Sequence, residues 1–394
     1  MKWRWKEYRE KRAFLALADG TVLHGCSVGA ACDRLGEVVF NTGMTGYQEI
    51  LSDPSYCGQF VTMTYPEIGN TGANADDMEC QQVFASGLIV HELNNSSNWR
   101  SQEGLSEFLK RWNVPAIAGI DTRALTVLLR EKGTQKAYMA VSQSGGATDG
   151  RLIDEATAIR KAREWEGLDG QDYASRVSCR EIYRWDPDGN LTRSWGIADK
   201  LPDPDLRVVA YDFGIKWNIL RSLRRSGMDV TVVPASTPAK TVFGMKPDAV
   251  VLSNGPADPA AVTCAIEAAR EMLGKIPLMG ICLGHQLLGL ALGGRTYRLK
   301  FGHHGCNHPV MDLTTRQVQI TSQNHNFAVD RTSLDPAKVE ITHINLNDRT
   351  VEGFYSKKLR MLAVQYHPEA APGPHDAFYL FERFRRLITN GTAD

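Results

Sequence analysis

The chain has 394 residues, with 45 lysines and arginines against 45 aspartates and glutamates. No surplus of charge points to a nucleic acid or an anionic membrane as partner, and the length is enough for a large core in two domains. Eight cysteines without a C-x-x-C pair or disulfide-like spacing suit a reducing, cytoplasmic setting, and the basic start Met1-Lys2-Trp3-Arg4, with no apolar run of about 20 residues behind it, predicts neither a signal peptide nor a membrane span.

Residues 12–145 read as a smaller, strand-rich domain of mixed α/β type. Two apolar runs flank Asp19-Gly20 between Ala13 and Leu23, which is a hairpin signal. Further strands are expected over Glu37–Asn41, Phe60–Thr64 and Val83–Val90. Helices are expected from Leu105 to Trp112 and after Asp121, whose carboxylate suits an N-cap. Between Phe40 and Tyr56 the glycines predict a strand that leaves through a turn into a short helix and a second turn.

Residues 146–206 read as a connector. Turn signals at Ser144-Gly145-Gly146, Asp149-Gly150 and Asp186-Pro187-Asp188-Gly189-Asn190 mark it, and a charged helical pattern runs from Leu152 to Trp165. The second domain, 207–390, opens on Leu206–Gly214, an apolar strand ending in glycine. Strands then alternate with helices through Asp229–Pro234 and Asp248–Ser253, which argues for a parallel sheet covered on both faces. Active residues of such a sheet gather at the carboxyl ends of its strands.

One of those ends carries the pattern Gly280-Ile281-Cys282-Leu283-Gly284, an apolar strand turning sharply into a Leu-rich helix. G-x-C-x-G has the layout of the nucleophile elbow written elsewhere as G-x-S-x-G. A thiol on that corner meets the helix N-terminus, which favours thiolate. Taken alone, a cysteine in an apolar run is a small core residue. The catalytic reading therefore requires a base and an orienting group. After the apolar run Met361–Tyr366 come His367-Pro368-Glu369, where proline keeps the backbone extended and puts positions two apart on one side. Glu369 can then hold His367 by one nitrogen while the other faces the thiol. Grouped histidines at His303, His304 and His308 raise the question of zinc. Gly302, Gly305 and Pro309 argue against the helix that would gather them, and no cysteine pair joins them, so no metal is expected.

The strings G-I-C-L-G-H-Q-L-L-G and Q-Y-H-P-E-A, with L-S-N-G-P-A-D-P at 252–259, F-G-H-H-G at 301–305 and S-Q-N-H-N-F at 322–327, resemble the class I glutamine amidotransferase domain. Upstream, Phe40–Tyr56, Thr64–Asn70 and Ile120–Arg123 resemble the N-terminal domain of the carbamoyl-phosphate synthase small-chain family. Together the likeness spans nearly the whole chain.

That resemblance implies a glutaminase subunit in which Cys282, His367 and Glu369 hydrolyse L-glutamine to glutamate and ammonia. It implies glutamine contacts at Ser55, Gly255, Ala257, Leu283, Gln286, Asn324, Asn326 and Phe327, with oxyanion donors at Leu283 and Gly255. Ser55 lies in the first domain, so the pocket is expected near the domain boundary. The implied partner is a large synthetase chain that binds ATP, Mg and bicarbonate, the product feeding arginine and pyrimidine synthesis. No cofactor is expected on this chain, since neither G-x-x-x-x-G-K-[ST] nor G-x-G-x-x-G occurs in it. Two positions depart from the family pattern: Ala257 and Asn326 stand where it has glycine. If the backbone is left-handed there, Asn326 is well tolerated and Ala257 costs about 1 to 2 kcal/mol. The alternatives are an amidotransferase serving another synthase, against which F-N-T-G-M-T-G-Y-Q-E-I-L argues, and a docking subunit without activity, against which the complete Cys-His-Glu set argues.

Overall fold

Short apolar strands near the N-terminus close into a barrel. The computed structural model of the chain describes residues 11–142, 152–194, 200–256 and 258–393. These fall into two units, one of residues up to Asp169 together with Lys300–His304, the other of Gly170–Leu299 and Gly305 onwards. In the first unit seven strands run around the barrel in the order Arg12–Leu17, Val22–Ser27, Ala116–Ala118, Gly87–Ile89, Gln59–Met63, Arg34–Asn41 and Gln135–Val141, the last pairing with the first. Alternation sorts their side chains. Ala13, Leu15 and Leu17 join Val38, Phe60, Ile89, Ile117 and Met139 in one cluster, while Phe14 and Ala16 face the opposite way with Tyr138 and Ala140.

The hairpin at Asp19-Gly20 forms as read, with Gly20 at φ 102° in the left-handed region glycine favours. Asp121 caps the helix Thr122–Lys132 by accepting from the Ala124 N–H at 2.8 Å. The strand expected over Val83–Val90 is shorter, Gly87–Ile89, because Phe84 and Ala85 donate their N–H groups to Leu51 O instead of to a ladder. Within the span read as a connector, the helix Glu155–Glu164 lays Ala158 and Ala162 on the Phe14 side of the barrel wall, whereas Ala174 and Trp185 belong to the cores of the second unit.

In the second unit a ten-stranded sheet has five parallel strands at its centre, ordered Met228–Pro234, Leu206–Asp212, Ala249–Leu252, Leu278–Ile281 and Met361–Val364. Both faces are covered. Val209, Tyr211, Val250, Leu252 and Leu278 pack with the helices Thr263–Met272 and Leu283–Ala291. Val208, Ala210, Val251, Met279, Ile281 and Val364 pack with the helices Trp217–Arg225 and Tyr379–Asn390. Beyond Met361–Val364 the sheet continues antiparallel through Val351–Ser356 and Glu340–Asn345, an extension the helix-strand alternation did not predict. The long strand Thr296–Asp312 carries His303, His304 and His308 in extended backbone, so no helix gathers them.

Candidate active site

The carboxyl ends of adjacent central strands bring the chemistry together. Leu278–Ile281 ends at Cys282, which caps the helix Leu283–Ala291 with φ 54° and ψ −102°, a backbone conformation that a residue with a Cβ adopts only under strain. Close packing on both sides imposes the corner. A Cβ at Gly284 would lie 2.0 Å from the Leu252 carbonyl oxygen, and one at Gly280 would lie 2.7 Å from Gly284 O. Gly284 N–H donates to Ser253 O at 3.0 Å, tying the elbow to the neighbouring strand end. Gly255 is equally confined, since a Cβ there would approach Phe213 O to 2.2 Å.

The next strand, Met361–Val364, delivers His367 and Glu369. His367 donates its main-chain N–H to Ser322 O at 2.9 Å, and its Nδ1 lies 2.7 Å from Glu369 Oε1. Both side chains are buried, as is Cys282. The Nδ1 contact with a carboxylate makes that nitrogen a protonated one and leaves Nε2 on the opposite edge of the ring. Burial by itself lowers the His367 pKa, but the charge of Glu369 and then that of Cys282 outweigh it and raise it to about 10. Glu369 goes the other way. Its burial raises the pKa, yet the Lys216 ammonium and the His367 ring pull it down to about 2.

Lys216 is the member that the sequence did not disclose. It follows the strand Leu206–Asp212, caps the helix Trp217–Arg225 and is 2% exposed. Its Nζ lies 3.0 Å from Glu369 Oε1 and also donates to Ala370 O, while its N–H donates to Asn254 Oδ1 at 3.1 Å. Asn218 Nδ2 donates to Glu369 O. A lysine just past the end of a central strand was the available signal, since buried lysine is rare without a partner. Ala370 and Ala371, at φ 56° and 52°, show how tightly the chain turns after Glu369.

The stretch 322–327 borders the elbow. Asn324 O lies 3.6 Å from Cys282 Sγ, and Gln286 Nε2 donates to Phe327 O at 2.7 Å and to Gln365 Oε1 at 3.1 Å. Phe327 is buried and carries the Arg298 guanidinium 5.6 Å from its ring centre. Asn326 sits inside the strand Val318–Val329 and is not among the left-handed residues, so the tolerance anticipated for asparagine is not called upon. Ala257, with its anticipated strain, lies outside the described residues. Ser55 belongs to the first unit, buried on the turn Pro54–Tyr56 with its N–H on Asp53 Oδ1 at 2.9 Å. The arrangement in the second unit thus joins a thiol on a strained corner, a histidine oriented by a carboxylate, and a lysine holding that carboxylate.

Comparison with known proteins bears on what such a site acts upon. Residues 209–387 match the glutamine amidotransferase class-I family, and residues 15–139 match the carbamoyl-phosphate synthase small chain, CPSase domain. The chain is 53% identical over 378 residues to a carbamoyl phosphate synthase small chain of Syntrophotalea carbinolica, covering 96% of this chain and 98% of that one. It is 51% identical over 386 residues to the corresponding protein of Yersinia pestis, covering 96% and 95%. It is 48% identical over 379 residues to a chloroplastic relative from Oryza sativa, covering 96% and 82%.

Proposed function

Since the chain belongs to the carbamoyl phosphate synthase small chain family, we propose that its second unit hydrolyses L-glutamine by covalent catalysis and that the ammonia serves a separate large chain. In this reading the Cys282 proton passes to Nε2 of His367 and the sulfur attacks the side-chain carboxamide of glutamine. The oxyanion takes backbone donors at Leu283 and Gly255. Gly284 N–H, already given to Ser253 O, is not one of them. Aligned donors of this kind contribute about 3 to 4 kcal/mol each. The protonated His367 gives its proton to the departing ammonia, then draws one from the water that opens the γ-glutamyl thioester. Glu369 keeps the ring oriented, and Lys216 keeps Glu369 ionised. Gln286, Asn324, Asn326 and Phe327, with Ala257, supply the remaining glutamine contacts.

The observation that carries the reading is the 2.7 Å contact of Glu369 with Nδ1 of His367, which stands three residues past the end of the strand Met361–Val364, the neighbour of the strand that presents Cys282. The large chain is proposed to bind ATP, Mg and bicarbonate and to yield carbamoyl phosphate for arginine and pyrimidine synthesis. Synthesis by the reconstituted pair from two nitrogen sources tests both parts. Cys282→Ser is expected to abolish synthesis from glutamine and to preserve it from ammonium salts. Equal loss with both sources sinks the assignment.

A further inference from the structure

Gln365 is wholly buried and stands between the strand Met361–Val364 and His367. Its main chain is fixed, the N–H donating to Glu352 O at 2.9 Å. Its side-chain amide lies between two residues of the elbow and its helix. Oε1 accepts from Gln286 Nε2 at 3.1 Å, and Nε2 is 3.7 Å from Cys282 Sγ. The direction of that amide follows from the donor count. Gln286 Nε2 also donates to Phe327 O at 2.7 Å, and a main-chain carbonyl can only accept. The NH₂ end of Gln286 is therefore the end that faces Gln365, so Gln365 turns its oxygen to Gln286 and its NH₂ to the sulfur.

A second group touches the same sulfur from a different residue. Asn324 O, 3.6 Å away, suits a thiol that donates S–H, and it repels a thiolate. An amide NH₂ has the opposite preference, since it can donate to a thiolate and a hydrogen bond to an ionised group is about twice as strong as one between neutral groups. The sulfur is thus flanked by one group matched to each of its protonation states. Burial, first of all, pushes His285, whose ring interacts with the Gln365 side chain, down to about 3, so it brings no positive charge to that amide.

We propose that Gln365 is a positioning residue whose NH₂ holds the Cys282 sulfur in its attacking, deprotonated form, and that Gln286 locks it in that orientation. The proton leaves Sγ for Nε2 of His367, and no covalent bond to Gln365 forms or breaks. The proposal rests on the reading of Cys282 as nucleophile.

Gln365→Glu separates this role from a merely structural one. The carboxylate keeps an acceptor for Gln286 but removes the donor facing sulfur, whereas Gln365→Met removes both at similar volume. Two readouts are taken on the full chain near neutral pH, the rate of Cys282 alkylation by iodoacetamide and the kcat and KM for glutamate release. Both variants are expected to lose about tenfold or more in alkylation rate and in kcat, with glutamine KM within about twofold of wild type. A Gln365→Glu chain that alkylates and turns over like wild type overturns the proposal, as does loss confined to KM. If neither variant folds, as judged by circular dichroism, Gln365 is a scaffold residue and the proposal falls. Cys282→Ser is run alongside. Should it keep glutaminase activity, the nucleophile reading has failed, an outcome distinct from failure at Gln365.

Discussion

His367 is held between two effects of opposite sign, and their balance sets the pH range of the site. Burial favours the neutral ring, and Glu369 with Cys282 favours the charged one, leaving the pKa near 10 against an ordinary 6.5. A raised pKa contributes stability that is complete below about 6.5 and is lost as pH rises through about 10. Glu369, depressed from 4.5 to about 2, contributes stability present above about 4.5 and lost as pH falls through about 2. Both contributions are in force between those limits, from about 4.5 to 6.5. Denaturant titrations should therefore show Glu369→Gln furthest below wild type near pH 5.5, with the gap narrowing towards pH 10. With the carboxylate gone, the largest effect opposing burial is lost and only that of Cys282 remains, so the alkaline limb of glutamine turnover in Glu369→Gln is expected at lower pH than in wild type. An unmoved limb would mean that His367 is not the group being titrated. For Lys216→Met the buried Glu369 charge loses its cation, and the expected loss is about 3 kcal/mol of stability with glutaminase activity falling at the same time. Thermal unfolding and glutamate release on the same samples check it.

Local chemistry made several elements legible. Asp121 announces the helix after it because a carboxylate at that position satisfies an otherwise unpaired N–H, and it does so at 2.8 Å. Gly280 and Gly284 announce the elbow because the neighbouring backbone leaves no room for a Cβ. Gly284→Ala should accordingly cost more than about 2 kcal/mol, since the atom 2.0 Å away is a main-chain oxygen that cannot rotate aside. Urea midpoints against wild type measure this, and an alanine variant of unchanged midpoint would show that the elbow can shift. What stayed hidden depended on distant pairing. Closure of the barrel rests on Ala13–Leu17 meeting Ala137–Val141, more than a hundred residues later, and nothing in either run specifies the other. The antiparallel strands beyond Met361–Val364, Val351–Ser356 and Glu340–Asn345, mix Glu340, Thr342, His343, Asn345 and Glu352 with apolar residues, so no apolar run announced them. Lys216 escaped notice because a single lysine acquires meaning only when the carboxylate 153 residues away is known to face it.

At the scale of the whole molecule, a glutaminase that worked without restraint would consume glutamine and release ammonia to no purpose. The proposed partner supplies a physical means of restraint. The groups proposed to act in the second unit come from separate strand ends and loops, Lys216, Gly255, Cys282 and His367 among them, so on that proposal small relative movements of these ends misalign the oxyanion donors from the thiol. Misplacement of about 1 Å can cost on the order of a hundredfold in rate. Binding of the large chain need therefore only favour the aligned arrangement to raise turnover, without adding any catalytic group. The isolated chain is expected to hydrolyse glutamine slowly, and addition of the large chain with ATP, Mg and bicarbonate to raise kcat by tenfold or more, on the order allowed by such positioning effects. Glutamate release measured with and without the large chain decides the matter. In the Lys216→Met chain the same addition should recover less, because the carboxylate that orients His367 is no longer anchored to the end of its strand. A chain already at full rate alone, indifferent to any synthetase, would instead be a free-standing glutamine hydrolase.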